Sequence, residues 1–240
     1  TLWHTLSLHD ALPISGLRQE MQVIANNIAN AATVGFRREG VVFSEFVARQ
    51  ESPDTSLSMA RAHGRVIAPE EGPMRQTGGE LDFAIQGDGF FLVETADGPR
   101  LTRAGAFGLD ANGLVVAPDG ARLLDAGQAP IQVPVDAGPV SLGGDGTLSV
   151  GGNPLADVGV FQPRDPDRLE RAAGVRFIAA EGVEALAAPR MVQGFLEGSN
   201  VSPIEEIARM ISVQRAYEAG KSLGSAEHER MREVIRTLGK

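Results

Sequence analysis

No cysteine occurs anywhere in the 240-residue chain. Disulfides, thiolate–metal centres and cysteine nucleophiles are therefore excluded. The absence suits a reducing compartment, and it equally suits a chain exported into an oxidising space, where a free thiol could mispair. Aromatics are scarce at 5%, against 42% hydrophobic residues overall. A chain of this length and composition allows one or two domains and a real but modest core. Basic residues are outnumbered, 22 Lys and Arg against 31 Asp and Glu, for a net charge of −9. There is no basic patch, so nucleic acid is not an expected partner. No apolar run approaches the roughly 20 residues that a membrane-spanning helix needs.

Catalytic and ligand motifs are missing too. The aspartates beside glycine, such as Asp88, Asp97 and Asp145, lack the D-x-[DN]-x-[DN]-G spacing of a calcium loop and read as turn residues. Gly87-Asp88-Gly89-Phe90-Phe91 lacks the third glycine and the following helix of a phosphate-binding loop, so it reads as a hairpin turn. His63 and His228 have no metal-type spacing and read as solvated side chains. Ser15 and Ser199 have no nucleophile-elbow context. Glu80, Glu94, Glu181 and Glu184 show no pairing pattern that would mark a glycosidase. No cofactor or metal is expected. A carbohydrate-binding or hydrolytic β-domain with helical flanks stays open as the alternative class.

What is present is turns. The 29 glycines and 14 prolines favour short strands over a helical bundle. From Gly72 onward, short apolar runs (Phe83–Ile85, Phe90–Val93, Leu114–Val116, Ile131–Val133) are separated by Asp97-Gly98, Asn112-Gly113, Asp119-Gly120 and Asp145-Gly146. Such dipeptides make tight hairpins because both residues tolerate positive φ. Leu155–Phe161 and Arg176–Ile178 read as further strands, and Met191–Leu196 as the exit strand. The expected fold is mainly β, a central barrel or sandwich-like module.

Helices flank this module. Ser15 to about Ala31 places Leu17, Met21, Ile24 and Ile28 at 4-3-4 spacing, a heptad seam. Asn26, Asn27 and Asn30 follow among small alanines. They are either a solvated face or polar residues that set helix register. Gly35 supplies the backbone freedom that ends the segment. Thr33 to about Gly72 reads as an extended linker and loop, with Gln50–Arg65 polar and mobile. Ser202 to Leu238 reads as the second helix: Ser202 caps it, Pro203 fits the first turn, and Glu205 and Glu206 suit the positive end of its dipole. Ile204, Ile207, Met210, Ile211, Tyr217, Met231, Val234, Ile235 and Leu238 form an apolar stripe, with a hinge expected near Leu223 between Gly220 and Gly224. In a monomer these seams would be exposed, disordered or paired with each other.

Four blocks occur in matching order: Ser15 to Arg37 with its Ala25-Asn26-Asn27-Ile28-Ala29-Asn30 core, Gly78 to Phe91, Leu101 to Phe107, and Glu197-Gly198-Ser199-Asn200-Val201 leading to Met210-Ile211 and Gln214-Arg215-Ala216-Tyr217-Glu218. From about Ser15 to its end the chain resembles the flagellar rod and hook proteins. Its size and its Gly198–Val201 segment look most like the proximal rod members. The distal rod members share nearly every motif, and the β region is too short for the hook protein's added domains. Thr1–Ile14 do not resemble the family's lead-in and are expected to replace a natural start.

The resemblance implies a structural subunit exported unfolded by the flagellar export apparatus without a cleaved signal. It would polymerise in the periplasm with proximal and distal rod subunits into a rod that transmits torque. The helices would form a coiled-coil-like tube wall with the β module outside. The implied assembly residues are Leu17, Met21, Ile24, Asn26, Asn27, Ile28, Asn30, Gly35, Phe36, Ser199, Asn200, Val201, Ile207, Met210, Ile211, Arg215 and Tyr217. The expected division is residues 1–14 as an atypical lead-in, 15–71 as rod helix and linker, 72–197 as the β domain and 198–240 as the C-terminal rod helix.

Overall fold

The structure, a computed structural model, describes the backbone of residues 2–49, 56–134 and 138–238, and side chains within 15–42, 65–134, 138–226 and 228–237. The chain forms two compact units, one of Thr1–Ala29, Glu39–Val66 and Ser202–Lys240, the other of Asn30–Arg38 and Ile67–Val201. In order, the elements are α1 (Leu2–Ala29), β1 (Glu39–Arg49), β2 (Ser56–Ile67), β3 (Met74–Gln76), β4 (Phe83–Ile85), β5 (Phe90–Thr95), β6 (Gly98–Thr102), β7 (Gly108–Leu109), β8 (Val115–Val116) and β9 (Arg122–Leu123). There follow β10 (Val140–Leu142), β11 (Thr147–Val150), β12 (Asn153–Asp157), β13 (Val160–Pro163), β14 (Leu169–Arg171), β15 (Arg176–Ala179), β16 (Val183–Ala185), β17 (Met191–Gln193), β18 (Phe195–Glu197) and α2 (Pro203–Leu238).

The first unit pairs α1 with α2 and carries β1 and β2 as a two-stranded sheet. The two helices pair with each other, but not through the apolar seams expected of them. The region expected to be linker is thus largely two long strands, although residues 50–55 lie outside the described residues. α2 starts as its sequence dictates, with the Glu206 amide donating to the Ser202 carbonyl at 3.0 Å and two glutamates in the first turn. It then runs unbroken for 36 residues. The expected hinge is absent. Gly220 and Gly224 are half-buried on the same helix face as Val213, so tertiary packing offsets their weak propensity, about 1 kcal/mol each against alanine.

The second unit is built on β5. Side chains alternate across a strand, so Phe91 and Val93 enter one core with Phe83, Ile85, Leu123, Leu148 and Val160. Leu92 points to the other face and packs with Leu101, Leu124, Phe161 and Phe177. Its sheet runs β14-β15-β6-β5-β9-β8-β7, with β13 also pairing to β5 and β16. That path is open at β14 and β7, so it does not close into a barrel. β10, β11 and β12 form a separate three-stranded meander.

Three expected strands differ in detail. Leu155–Phe161 is split between β12 and β13. Ile131–Val133 forms only a bridge, Leu114 to Gln132. The exit strand breaks at Gly194, whose φ of +73° re-aims the chain so that β17 pairs with β4 while β18 pairs with β3.

Candidate assembly interface

The face that α1 presents to its own unit consists of Gly16, Glu20, Val23, Ile24 and Asn27, all buried. This is a helical stripe, but polar residues sit at its centre. Glu20 accepts from Arg209 of α2, with Nη2 at 2.8 Å and Nε at 3.0 Å. The Asn27 amide nitrogen donates to the Glu39 carbonyl at 2.9 Å and to the Glu206 carboxylate at 3.1 Å. Its oxygen accepts from the Glu39 amide at 3.0 Å. One side chain therefore ties α1, the start of β1 and the start of α2. Such a bonded polar residue fixes the register of the elements it joins. The contacts also show that α1 and α2 run antiparallel.

The expected seam of Leu17, Met21, Ile24 and Ile28 is displaced. Only Ile24 is fully buried; Leu17, Met21 and Ile28 are half-buried. At 100° per residue these three lie roughly a quarter-turn around α1 from the buried stripe. On α2 the inner residues are Glu206, Met210, Val213, Tyr217, Gly220, Gly224 and Met231, at strict heptad spacing where side chains are described. Ile204, Ile207 and Ile211 fall on another face, and Ile204 is 82% exposed. Arg215 is exposed as well, and Asn26 is half-buried.

The second unit holds a buried ionic knot. The Glu197 carboxylate, at the end of β18, takes Arg37 at 3.0 Å, Arg103 at 3.4 Å and the Gly72 amide at 3.0 Å. All three charged side chains are at most 2% exposed. Arg37 also donates to the Pro69 and Glu70 carbonyls. Arg103 donates to the Gly87 carbonyl at 2.6 Å. Burial holds the Arg103 guanidinium below its ordinary value; Glu197 opposes that shift and Arg37 adds to it. Arg171 stacks over Phe36 at 4.4 Å and over Phe177 at 5.0 Å. The Asn200 oxygen accepts from the Arg38 amide at 2.6 Å while its nitrogen donates to the Glu70 carbonyl at 2.8 Å.

Gly35, Phe36, Ser199 and Val201, expected at the assembly surface, are instead buried in their own chain. Gly35 has φ +68°, and a Cβ there would lie 2.2 Å from the Ala104 backbone nitrogen. Its amide donates to the Glu197 carbonyl at 2.8 Å. Asn30 closes a turn, accepting from the Thr33 hydroxyl at 3.2 Å and from its amide at 3.0 Å. Sequence reading missed the partners: Glu20, Arg209, Glu39 and Glu206 in one unit, Arg37, Arg103 and Glu197 in the other. The available signal was a charge set beside apolar or glycine neighbours inside each motif, as in Phe36-Arg37, Thr102-Arg103-Ala104 and Leu196-Glu197-Gly198.

Among the described residues no cluster of His, Asp and Glu could hold a metal ion, and no helix is long and apolar enough to cross a membrane. Three family models match: Flagella basal body rod protein over residues 15–37, Flagellar hook protein FlgE/F/G D1 domain over 84–150, and Flagellar basal body rod FlgEFG protein C-terminal over 192–237. The chain is 35% identical to the flagellar basal-body rod protein FlgF of Mesorhizobium japonicum, across 97% of this chain and 98% of the relative. It is 35% identical to FlgF of Caulobacter vibrioides across 93% and 94%, and 28% identical to FlgG of Bacillus subtilis across 92% and 96%. The chain belongs to the flagellar basal-body rod protein family, whose members are structural. Within that family its similarity is stronger to the FlgF relatives than to FlgG.

Proposed function

We propose that this chain is a subunit of the proximal flagellar rod, polymerising in the periplasm with copies of itself and with neighbouring rod proteins to transmit torque. The observation that carries this is the outward apolar stripe of Ile204, Ile207 and Ile211 on α2, joined by the half-buried Leu17, Met21 and Ile28 on α1. Large apolar side chains regain roughly 1.5–3 kcal/mol each when buried, so a row of exposed isoleucines on one helix face favours a second copy. Heptad spacing inside the unit supports a coiled-coil-like wall in which the same helices also meet neighbours. The two-sided β5 sheet supports a sandwich-like β module. Passage through the flagellar export apparatus without a cleaved signal fits a chain with no cysteine to mispair.

The test replaces Ile204, Ile207 and Ile211 together with serine. The variant should melt close to the parent, because Ile204 is almost wholly exposed and Ile207 and Ile211 bury only about half of their surface within the chain. It should fail to polymerise or to restore swimming to a strain lacking the native protein. Normal rods from this variant would sink the proposal. A distal-rod role is the second reading, favoured by the FlgG relatives. Rescue of a strain lacking the distal but not the proximal rod protein would select it.

A further inference from the structure

The ionic knot joins pieces of chain that lie far apart in sequence. Arg38 and Asn200 are 162 positions apart, and Gly72 and Glu197 are 125 apart. Part of the rest of the second unit is local, although β15 pairs with β6 and β17 with β4 across long stretches of chain. β5 and β6 pair through a tight turn from Thr95 to Gly98. β10, β11 and β12 form a continuous meander, and β14 pairs with β15. Closing a long loop costs more entropy than closing a hairpin, so distant pairings form after local ones.

The chemistry of the knot points the same way. Arg37 Nε and Arg103 Nε are buried without a hydrogen-bond partner, and the Glu197 Oε2 atom has only its 3.4 Å ion pair with Arg103. Removing such ions from water is unfavourable until nearly every compensating contact is in place. A half-formed knot leaves them better off hydrated. The pocket beside it, about 310 Å³ and lined by Arg37, Phe90, Arg103 and Leu169 among others, does not hydrate these atoms, which are sealed from solvent.

We propose that the Arg37–Glu197–Arg103 knot is the closing latch of the second unit, the set of contacts that forms last and only when both remote ends of that unit are present. Combined with the proposed passage of the chain as an unfolded polymer, on which this consequence rests, the latch defers completion of the fold. Whichever end emerges first, the unit cannot close until about two-thirds of the chain has followed.

The knot supplies its own reporters. The amides of Gly35, Arg38, Gly72, Gly198 and Asn200 donate into it or beside it. The full chain is refolded from urea and pulse-labelled by hydrogen exchange, with peptides read by mass spectrometry. Peptides covering β5 and β6 should gain protection in an early phase, and those covering 35–38, 70–76 and 195–201 in a distinct later one. Glu197→Gln should leave the early phase within about twofold and speed deprotection of the late peptides by roughly tenfold or more, as for contacts absent from the folding transition state. Simultaneous protection of all peptides, or protection of the knot first, would overturn the latch. So would an early phase slowed by Glu197→Gln. Should that variant not fold, the order of protection in the unsubstituted chain still decides. Failure of the serine-substituted α2 variant to lose polymerisation would count against the rod reading and leave the latch standing.

Discussion

Gly35 sits where no other residue fits. Its positive φ costs an L-residue roughly 1–2 kcal/mol, and any Cβ would strike the Ala104 backbone. From sequence, a valine there is expected to disturb the exit from the first helix and impair motility, while the isolated β module folds normally. The contact with Ala104 moves the damage into the β unit. Gly35→Val should therefore destabilise that unit by about 2 kcal/mol or more, lowering its urea midpoint and the exchange protection of β5 and β6. Asn27 is the comparable residue in the other unit. Asn27→Ala deletes its three hydrogen bonds and leaves the Glu206 carboxylate short of a donor. A loss of about 1–3 kcal/mol is expected, read as a lower helix melting temperature by circular dichroism. Acid acts at the turns. The Asp119 carboxyl is held below its ordinary range chiefly by the hydrogen bond from Arg176. Asp110 and Asp145 are lowered mainly by the backbone amides of Leu114 and Thr147. A carboxyl lowered by folding stabilises the fold at pH above its unfolded value, about 3.9, and that stabilisation fades as pH falls through the depressed folded value. Melting temperature should accordingly drop below about pH 4, and less steeply when all three aspartates are replaced by asparagine.

The two helices show which part of an element's fate can be read in advance. The extent of α2 was legible, because Ser202, Pro203 and the two glutamates mark its start and apolar residues recur to its end. The facing direction of α1 was not. Apolar periodicity selects Leu17, Met21 and Ile28, but the buried stripe is centred on Glu20 and Asn27, whose partners Arg209 and Glu206 lie on the other helix. A polar residue counts as outward in any pattern analysis until its partner is known. The outward set is thereby left for assembly, and a test separates the two faces. Val213→Ser should lower the melting temperature of the first unit, since Val213 is 7% exposed; Ile211→Ser, on the exposed face, should leave it within about 0.5 kcal/mol of the parent. Equal destabilisation by both would mean that the exposed stripe is structural within the chain. The same limit explains the knot. Each motif was visible as a string of residues, but the convergence of Arg37, Arg103 and Glu197 depends on long-range closure.

At the scale of the whole molecule, the chain is divided in space differently from the order in which it is read. Residues 72–197 look self-sufficient as sequence, dense in short strands and turns. The compact unit also takes in Asn30–Arg38, Ile67–Glu71 and Gly198–Val201. These additions are not peripheral. They contribute Phe36 and Arg37, the Pro69 and Glu70 carbonyls that receive Arg37, and Asn200. A fragment limited to 72–197 keeps Glu197 and Arg103 but loses Arg37, leaving a buried carboxylate with one of its two cations. Removing one partner of a buried pair typically costs about 3–5 kcal/mol, a large share of the stability of a domain this size. A chain joining Asn30–Arg38 through a short flexible linker to Ile67–Val201 should therefore unfold cooperatively. The fragment 72–197 should expose hydrophobic surface and lack exchange protection at β3 and β18. The comparison is made by thermal melts and exchange on both purified fragments. If 72–197 melts as cooperatively as the longer fragment, the knot contributes little to the fold. If neither folds, the second unit needs the rest of the chain to form at all.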